Sequence, residues 1–105
     1  MRRFEVAEES MLPGLRPGDI LLARRSDHPP PGSIVVFPHP NDRAMWLVKR
    51  LVAASEGEAW VESDNQDATL ADSRTLGWIA TGSMYRAWLR YRRPASVRLL
   101  IATTP

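Results

Sequence analysis

The sequence predicts a small all-β domain built of antiparallel strands. Nine prolines and six glycines divide the 105 residues into short apolar runs, a pattern of strands joined by turns. Turn signals separate these runs, at Gly18-Asp19 and at Ser55-Glu56-Gly57-Glu58. The one stretch of helical character, residues 10–15, contains Pro13 and Gly14 and is held to about one turn.

Strands are expected at residues 4–7, 20–24, 33–37, 46–53, 59–62, 85–91 and 97–102. The second follows the Gly18-Asp19 turn. The third follows a stiff loop, His28-Pro29-Pro30-Pro31-Gly32, and its Ile34-Val35-Val36-Phe37 reads as a buried run that Pro38 stops. In the fourth, Leu47, Lys49 and Leu51 share one face. A hairpin turn then leads to Ala59-Trp60-Val61. In the sixth, alternation puts Arg86, Trp88, Arg90 and Arg92 toward solvent and Tyr85, Ala87, Leu89 and Tyr91 toward the core. Arginines interleaved with aromatics also suit a non-catalytic nucleic-acid-binding module. The formal charge is only +2 and no nucleic-acid motif accompanies the patch, so a sheet strand is favoured and no nucleic-acid partner is expected.

The length fits one domain, residues 1–105, with 95–105 as a loosely attached tail. With no cysteine there is neither a disulfide framework nor thiolate chemistry. Arg2 and Arg3 are followed by Glu5, Glu8 and Glu9 and by no apolar stretch, which argues against a signal peptide. No window approaches the roughly 18 apolar residues of a membrane helix, so a soluble chain without a membrane span is expected, and the absence of cysteine is compatible with a cytoplasmic location. His28 and His39 lie in proline-flanked loops and read as loop residues. No metal or cofactor is expected.

Lys49 is the only lysine, among thirteen arginines. Arginine keeps its proton in proteins, whereas a buried lysine can lose one, so this position suits a neutral amine acting as a base. Leu47 and Leu51, on the same face, would desolvate the ammonium and lower its pKa. A base needs a nucleophile. Ser10 follows a strand and opens a turn bounded by proline and glycine, where its hydroxyl could attack a carbonyl and its N–H stabilise the oxyanion. A third segment, residues 63–74, is dense in Asx and hydroxyl residues. It reads as Asx turns, since its acidic spacing does not match a calcium loop.

Three segments in this order resemble the signal peptidase I family of serine–lysine proteases. Ser10-Met11-x-Pro13-x-Leu15-x-x-Gly18-Asp19 is similar to its nucleophile box, and Val48-Lys49-Arg50-Leu51-Val52 to its lysine box. Asp64-Asn65-x-Asp67, then Asp72-Ser73-Arg74 and Leu76-Gly77, resemble its Gly-Asp-Asn…Asp-Ser-Arg box, and residues 31–37 its Gly-Asp-Val-Val-Val-Phe strand. The resemblance spans residues 4–92. It implies the small antiparallel β-fold shared by signal peptidases and LexA-like self-cleaving repressors. Ser10 would be the nucleophile and an oxyanion donor through its N–H, and Lys49 the general base. Thr69 is expected to stand where the family has a serine that hydrogen-bonds the lysine amine. Arg50, Asp64, Asn65, Asp72, Ser73 and Arg74 would support the site, and Met11 and Leu12 would border the substrate pocket.

The chain departs from the family in places. Glu8 stands two residues before the nucleophile, where a small hydroxyl or glycine is usual. A side-chain oxyanion donor is therefore not expected, and a carboxylate there would disturb the oxyanion hole unless it points away. Ser63 replaces a glycine, and the stretch from Asp67 to Asp72 is one residue longer. Neither the membrane anchor nor the large inserted β-domain of bacterial signal peptidases is expected here, and in this the chain resembles the nickel-type superoxide dismutase maturation proteases. That implies a precursor protein as partner and substrate, cleaved at its N-terminal extension. The alternative substrates are exported preproteins. A self-cleaving repressor would need a helix-turn-helix pattern that the chain lacks.

Overall fold

Eight strands form one antiparallel sheet in the computed structural model, which describes residues 1–68 and 71–101. They are β1 (Arg2–Glu5), β2 (Ile20–Arg25), β3 (Ile34–His39), β4 (Asp42–Ser55), β5 (Glu58–Glu62), β6 (Ile79–Ala80), β7 (Tyr85–Arg92) and β8 (Ser96–Leu99). One short helix, α1 (Ser73–Leu76), precedes β6. The sheet order is β1-β2-β7-β3-β4-β5-β6, with β8 added to β7. The all-β expectation holds.

β3 explains how the core is divided. Ile34 and Val36 join Phe4, Val6, Met11, Leu21 and others in one buried cluster, whereas Val35 and Phe37 join Leu51, Val61 and Met84 in a second. A strand covered on both faces needs an unbroken apolar run, which Ile34-Val35-Val36-Phe37 supplies. Each such side chain, fully buried, stabilises the fold by about 1.5–3 kcal/mol. β4, at 14 residues, serves two neighbours. Its register with β3 runs up to Arg50, and its register with β5 begins there. Before Arg50, β4 therefore has one ladder edge without a partner strand among the described residues. The β4–β5 turn is tight, with Ser55 opposite Glu58 and Gly57 at φ 79°, a left-handed conformation that favours glycine.

Several strand boundaries move. β1 begins at Arg2 and ends at Glu5, because Val6 leaves the ladder to bond both residues of the Gly18-Asp19 turn: its N–H donates to the Asp19 carbonyl (2.8 Å) and its carbonyl accepts from Gly18 (2.7 Å). β4 is longer at both ends than residues 46–53. Pro38 does not stop β3. The strand passes through it to His39, with a register shift at that point. β7 pairs only with Val35 and Val36 of β3, so Pro38 lies where β3 has a single neighbour and a missing N–H is tolerated. Of the expected strand at 97–102, Ser96–Leu99 is formed, and residue 102 lies outside the described residues.

The strict alternation expected along β7 is also corrected. Leu22 pairs with Leu89 but Ala23 pairs with Ala87, which leaves Trp88 as an extra residue. A one-residue bulge exchanges the faces beyond it. Ala87 faces the core as expected, but Leu89 and Tyr91 turn outward beside Leu22 and Ile20, while Arg90 turns inward and is buried. Arg92 now reaches Asp19, donating from Nε to Oδ1 and from Nη2 to Oδ2, both at 2.8 Å. Asp19 also accepts from the Arg16 N–H (2.9 Å), so this pair ties the loop after β1 to β7.

Hydrogen bonding from Arg92 holds the Asp19 carboxyl below the usual aspartate range, with the Arg16 N–H assisting and burial opposing. A depressed folded-state pKa gives stability that is complete above the unfolded pKa, about 3.9, and is lost as pH falls through the folded value. Asp19→Ala should lower the thermal midpoint at pH 7, and its gap from wild type should narrow below about pH 4. Calorimetric scans across pH check this, and a gap independent of pH would contradict it.

Candidate active site

Ser10 lies in the loop between β1 and β2. Its neighbours Met11 and Leu15 are 1% and 2% exposed and anchor that loop in the first core cluster. Within the loop, Leu12 N–H donates to the Glu9 carbonyl (3.1 Å) and Leu15 N–H to that of Met11 (3.0 Å). The Leu12 amide thus takes a backbone acceptor, and the Ser10 hydroxyl is not used as its cap. Among the described residues, no backbone acceptor meets the Ser10 N–H.

Lys49 is 4% exposed. Its Nζ is 3.0 Å from the Ser63 hydroxyl oxygen, the one hydrogen-bond partner of the amine among the described residues. Ser63 itself is 3% exposed and lies just beyond the end of β5. A bulge in the β4–β5 ladder decides this pairing. Counted back from the Ser55–Glu58 pair without interruption, the residue opposite Lys49 would be Asp64. The register shifts between Leu51 and Ala53, so that Arg50 faces Glu62 and Ser63 comes beside Lys49. Asp64 pairs with Arg50 instead, accepting from Nη2 at 2.7 Å and Nε at 3.2 Å, and Arg50 also donates to the Gly32 carbonyl (2.9 Å).

The segment after β5 holds both halves of the site. The Asn65 N–H donates to the Ser10 carbonyl (2.8 Å), and its side-chain amide donates to the Glu9 carbonyl (3.0 Å). Asp72 caps α1 and is 1% exposed. Its carboxylate accepts from the backbone N–H of Ser63 (3.1 Å) and of Arg74 (2.9 Å), and forms an ion pair with the Arg74 guanidinium (3.0 Å). Ser73 Oγ accepts from Val61 N–H (2.8 Å), joining α1 to β5. Gly77 closes α1 at φ 74°.

A cavity of about 330 Å³ opens between the loop after β1 and the unpaired part of β4. Ser10, Met11, Glu8 and Lys49 all line it; Leu12, expected to border the pocket, is not among its lining residues. The structure therefore brings Ser10 and Lys49 to one cavity, with the amine bonded to Ser63. Thr69, expected to orient that amine, lies outside the described residues.

Burial holds the Lys49 amine below the ordinary lysine pKa. The negative charges of Asp72 and Glu8 work against this, and Arg74 works with it. Asp72 is itself below the usual carboxylate range. Burial pushes it up, but hydrogen bonds from Arg74 and from the backbone N–H groups of Ser63 and Arg74 outweigh that. The site thus combines a buried amine whose pKa is lowered with a hydroxyl on the loop between β1 and β2. Those are the two groups that nucleophilic acyl transfer requires.

The family model described as Peptidase S24-like matches residues 3–82, a span that takes in Ser10, Lys49, Ser63 and Asp72. The chain belongs to the Peptidase S24-like family. It is also 37% identical over 65 residues to a protein named signal peptidase I from Buchnera aphidicola subsp. Baizongia pistaciae (strain Bp). That similarity covers 47% of this chain and 21% of the relative, so the chain spans about a fifth of that protein's length. The antiparallel sheet of this S24-like chain agrees with such membership. No helix among its described residues is long and apolar enough to cross a membrane.

Lys49 is the only lysine of the S24-like chain, so a carbon-13 label at lysine Cε gives a single NMR signal to titrate. Its midpoint should fall below the free-lysine value of about 10.4, and Glu8→Gln should lower it further by removing a charge that favours the ammonium. A midpoint at or above the free value would contradict the assignment.

Proposed function

We propose that this chain is a serine endopeptidase with a Ser10–Lys49 dyad, residues 1–105 forming its catalytic domain. In this reading it removes the N-terminal extension of a cytoplasmic precursor, that of nickel-type superoxide dismutase. The observation that carries the dyad is that Lys49, a buried residue, lines the same cavity as Ser10. The substrate assignment rests on sequence resemblance. Between the lysine strand and the Asp64-Asn65 segment the chain has only a plain hairpin turning at Glu56-Gly57, which fits the small form of the fold that this resemblance implies.

A neutral amine has two N–H bonds and one lone pair. Donating to the Ser63 oxygen turns the lone pair away from Ser63 and leaves it free to accept the Ser10 proton. Ser10 Oγ then attacks the scissile carbonyl carbon while Lys49 takes the hydroxyl proton. The Ser10 N–H stabilises the oxyanion. Collapse of the tetrahedral intermediate breaks the C–N bond, and Lys49 returns the proton to the leaving amine. In the second half a water attacks the acyl ester, Lys49 accepts its proton and passes it to Ser10 Oγ, and the acid product leaves. The cavity suits an extended peptide, since the free edge of β4 before Arg50 and the outer edge of β1 offer unpaired backbone groups beside it.

Ser10→Ala and Lys49→Ala should each cut the cleavage rate at least about 10²–10⁴-fold while the domain stays folded. Lys49→Arg should be as inactive, since arginine cannot act as a base at neutral pH. Ser63→Ala should cost about tenfold or more, and Ser63→Thr, which keeps the hydroxyl, much less. Mass spectrometry of the dismutase precursor incubated with each protein reads these effects. Full activity in Lys49→Arg would refute the mechanism. Cleavage of exported preproteins with the dismutase precursor left intact would favour the reading that the signal peptidase I similarity suggests.

A further inference from the structure

At one end of the cleft three aromatic rings from different strands meet. Phe4 of β1, Trp46 of β4 and Tyr85 of β7 have ring centroids 5.0, 5.4 and 6.0 Å apart, pair by pair, with interplanar angles of 51–70°. Phe4 and Trp46 also line the cavity that contains Ser10 and Lys49. The chain's own Arg2 fills the space between the rings. Its guanidinium carbon is 4.6 Å from the Trp46 centroid, 5.2 Å from Phe4 and 5.7 Å from Tyr85. Arg25 also lies over Tyr85, at 5.8 Å, but among the described residues only Arg2 meets all three rings, and three π faces converging on its position form a recognition site for a guanidinium.

Two further observations point to an exchangeable occupant. Among the described residues Arg2 forms no ion pair, and its side chain is exposed, so little besides the rings holds it. Glu8 lines the same cleft, is also exposed and also has no ion-pair partner among the described residues. An aromatic box and an unpaired carboxylate along one groove suit a peptide that carries positive charge.

We propose that the Phe4–Trp46–Tyr85 box is a subsite for an arginine side chain of the peptide substrate, and that Arg2 occupies it as an intramolecular stand-in when no substrate is bound. The substrate class is thus narrowed to peptides with an arginine near the scissile bond, and Arg2 becomes a competitor that substrate must displace. This rests on the endopeptidase reading for its biological meaning, but the subsite can be tested without cleavage.

The test uses Ser10→Ala protein and a series of alanine/serine octapeptides. Each carries one arginine, moved through every position, and each has a twin with citrulline, the same shape without the charge. NMR titration, followed at the Trp46 indole signal, gives the affinities. In at least one position the arginine peptide should bind roughly three- to thirtyfold tighter than its twin. Adding Arg2→Gln, an exposed change that spares the fold, should strengthen arginine binding further and leave citrulline binding unchanged. Equal affinities at every position, including no binding of either peptide, overturn the proposal. So does an arginine preference that Arg2→Gln leaves untouched. The same peptides given to wild-type protein report cleavage separately: cleavage without arginine preference sinks the subsite alone, and preference without cleavage sinks the endopeptidase reading alone.

Discussion

The contact between the Lys49 amine and the Ser63 hydroxyl is the interaction on which the site depends. A lysine buried to this degree must either be paired with a carboxylate or be free to lose its proton, because an isolated ammonium is costly away from water. Here the amine has no carboxylate within ion-pair distance among the described residues, and burial lowers its pKa. Its hydrogen-bond partner is a neutral hydroxyl, and Asp72, the carboxylate with the largest electrostatic effect on the amine, is already engaged by Arg74 and by two backbone N–H groups. Asp72 thus acts on the amine through space while its hydrogen bonds go elsewhere. Its bond to the Ser63 N–H helps hold the hydroxyl in place.

The bulge near Val52 makes this possible. Uninterrupted pairing would bring Asp64 beside Lys49, and a direct carboxylate partner would favour the ammonium and raise its pKa. The shift of one residue exchanges that carboxylate for a hydroxyl and releases Asp64 to pair with Arg50. The same segment then continues to Asn65, which binds the loop carrying Ser10. Residues 63–65 therefore couple the lysine strand to the Ser10 loop, and the Asp19–Arg92 pair fixes the other end of that loop to β7. The second bulge, at Trp88, is what turns Arg92 toward Asp19.

Much of this was legible in the sequence. The lone lysine between Leu47 and Leu51, the turn-bounded Ser10 and the Asx-rich third segment are local signals, and the structure brings Lys49 and Ser10 to one cavity. The unbroken run in β3 correctly announced a strand covered on both faces. What was not legible depends on register. Alternation along β7 fails at Trp88, since no residue type marks that bulge. Pro38 reads as a strand stop unless it is known that β3 has only one neighbour there. Ser63 was visible only as a departure from a usual glycine, and assigning it to Lys49 requires the β4–β5 bulge. Even the tight turn at Gly57, counted back alone, points to Asp64. The Phe4–Trp46–Tyr85 box joins three strands far apart in sequence and leaves no local trace.

The central claim is that a neutral Lys49 removes the proton from Ser10, and single-turnover acylation tests it most directly. A peptide p-nitrophenyl ester mixed with excess protein should place its acyl group on Ser10, detected by intact-mass and peptide mapping. The rate should rise with pH along a limb whose midpoint coincides with the Lys49 titration in the same sample. Acylation of Ser10 at the wild-type rate in Lys49→Met protein, or a limb that ignores the lysine midpoint, would contradict the account.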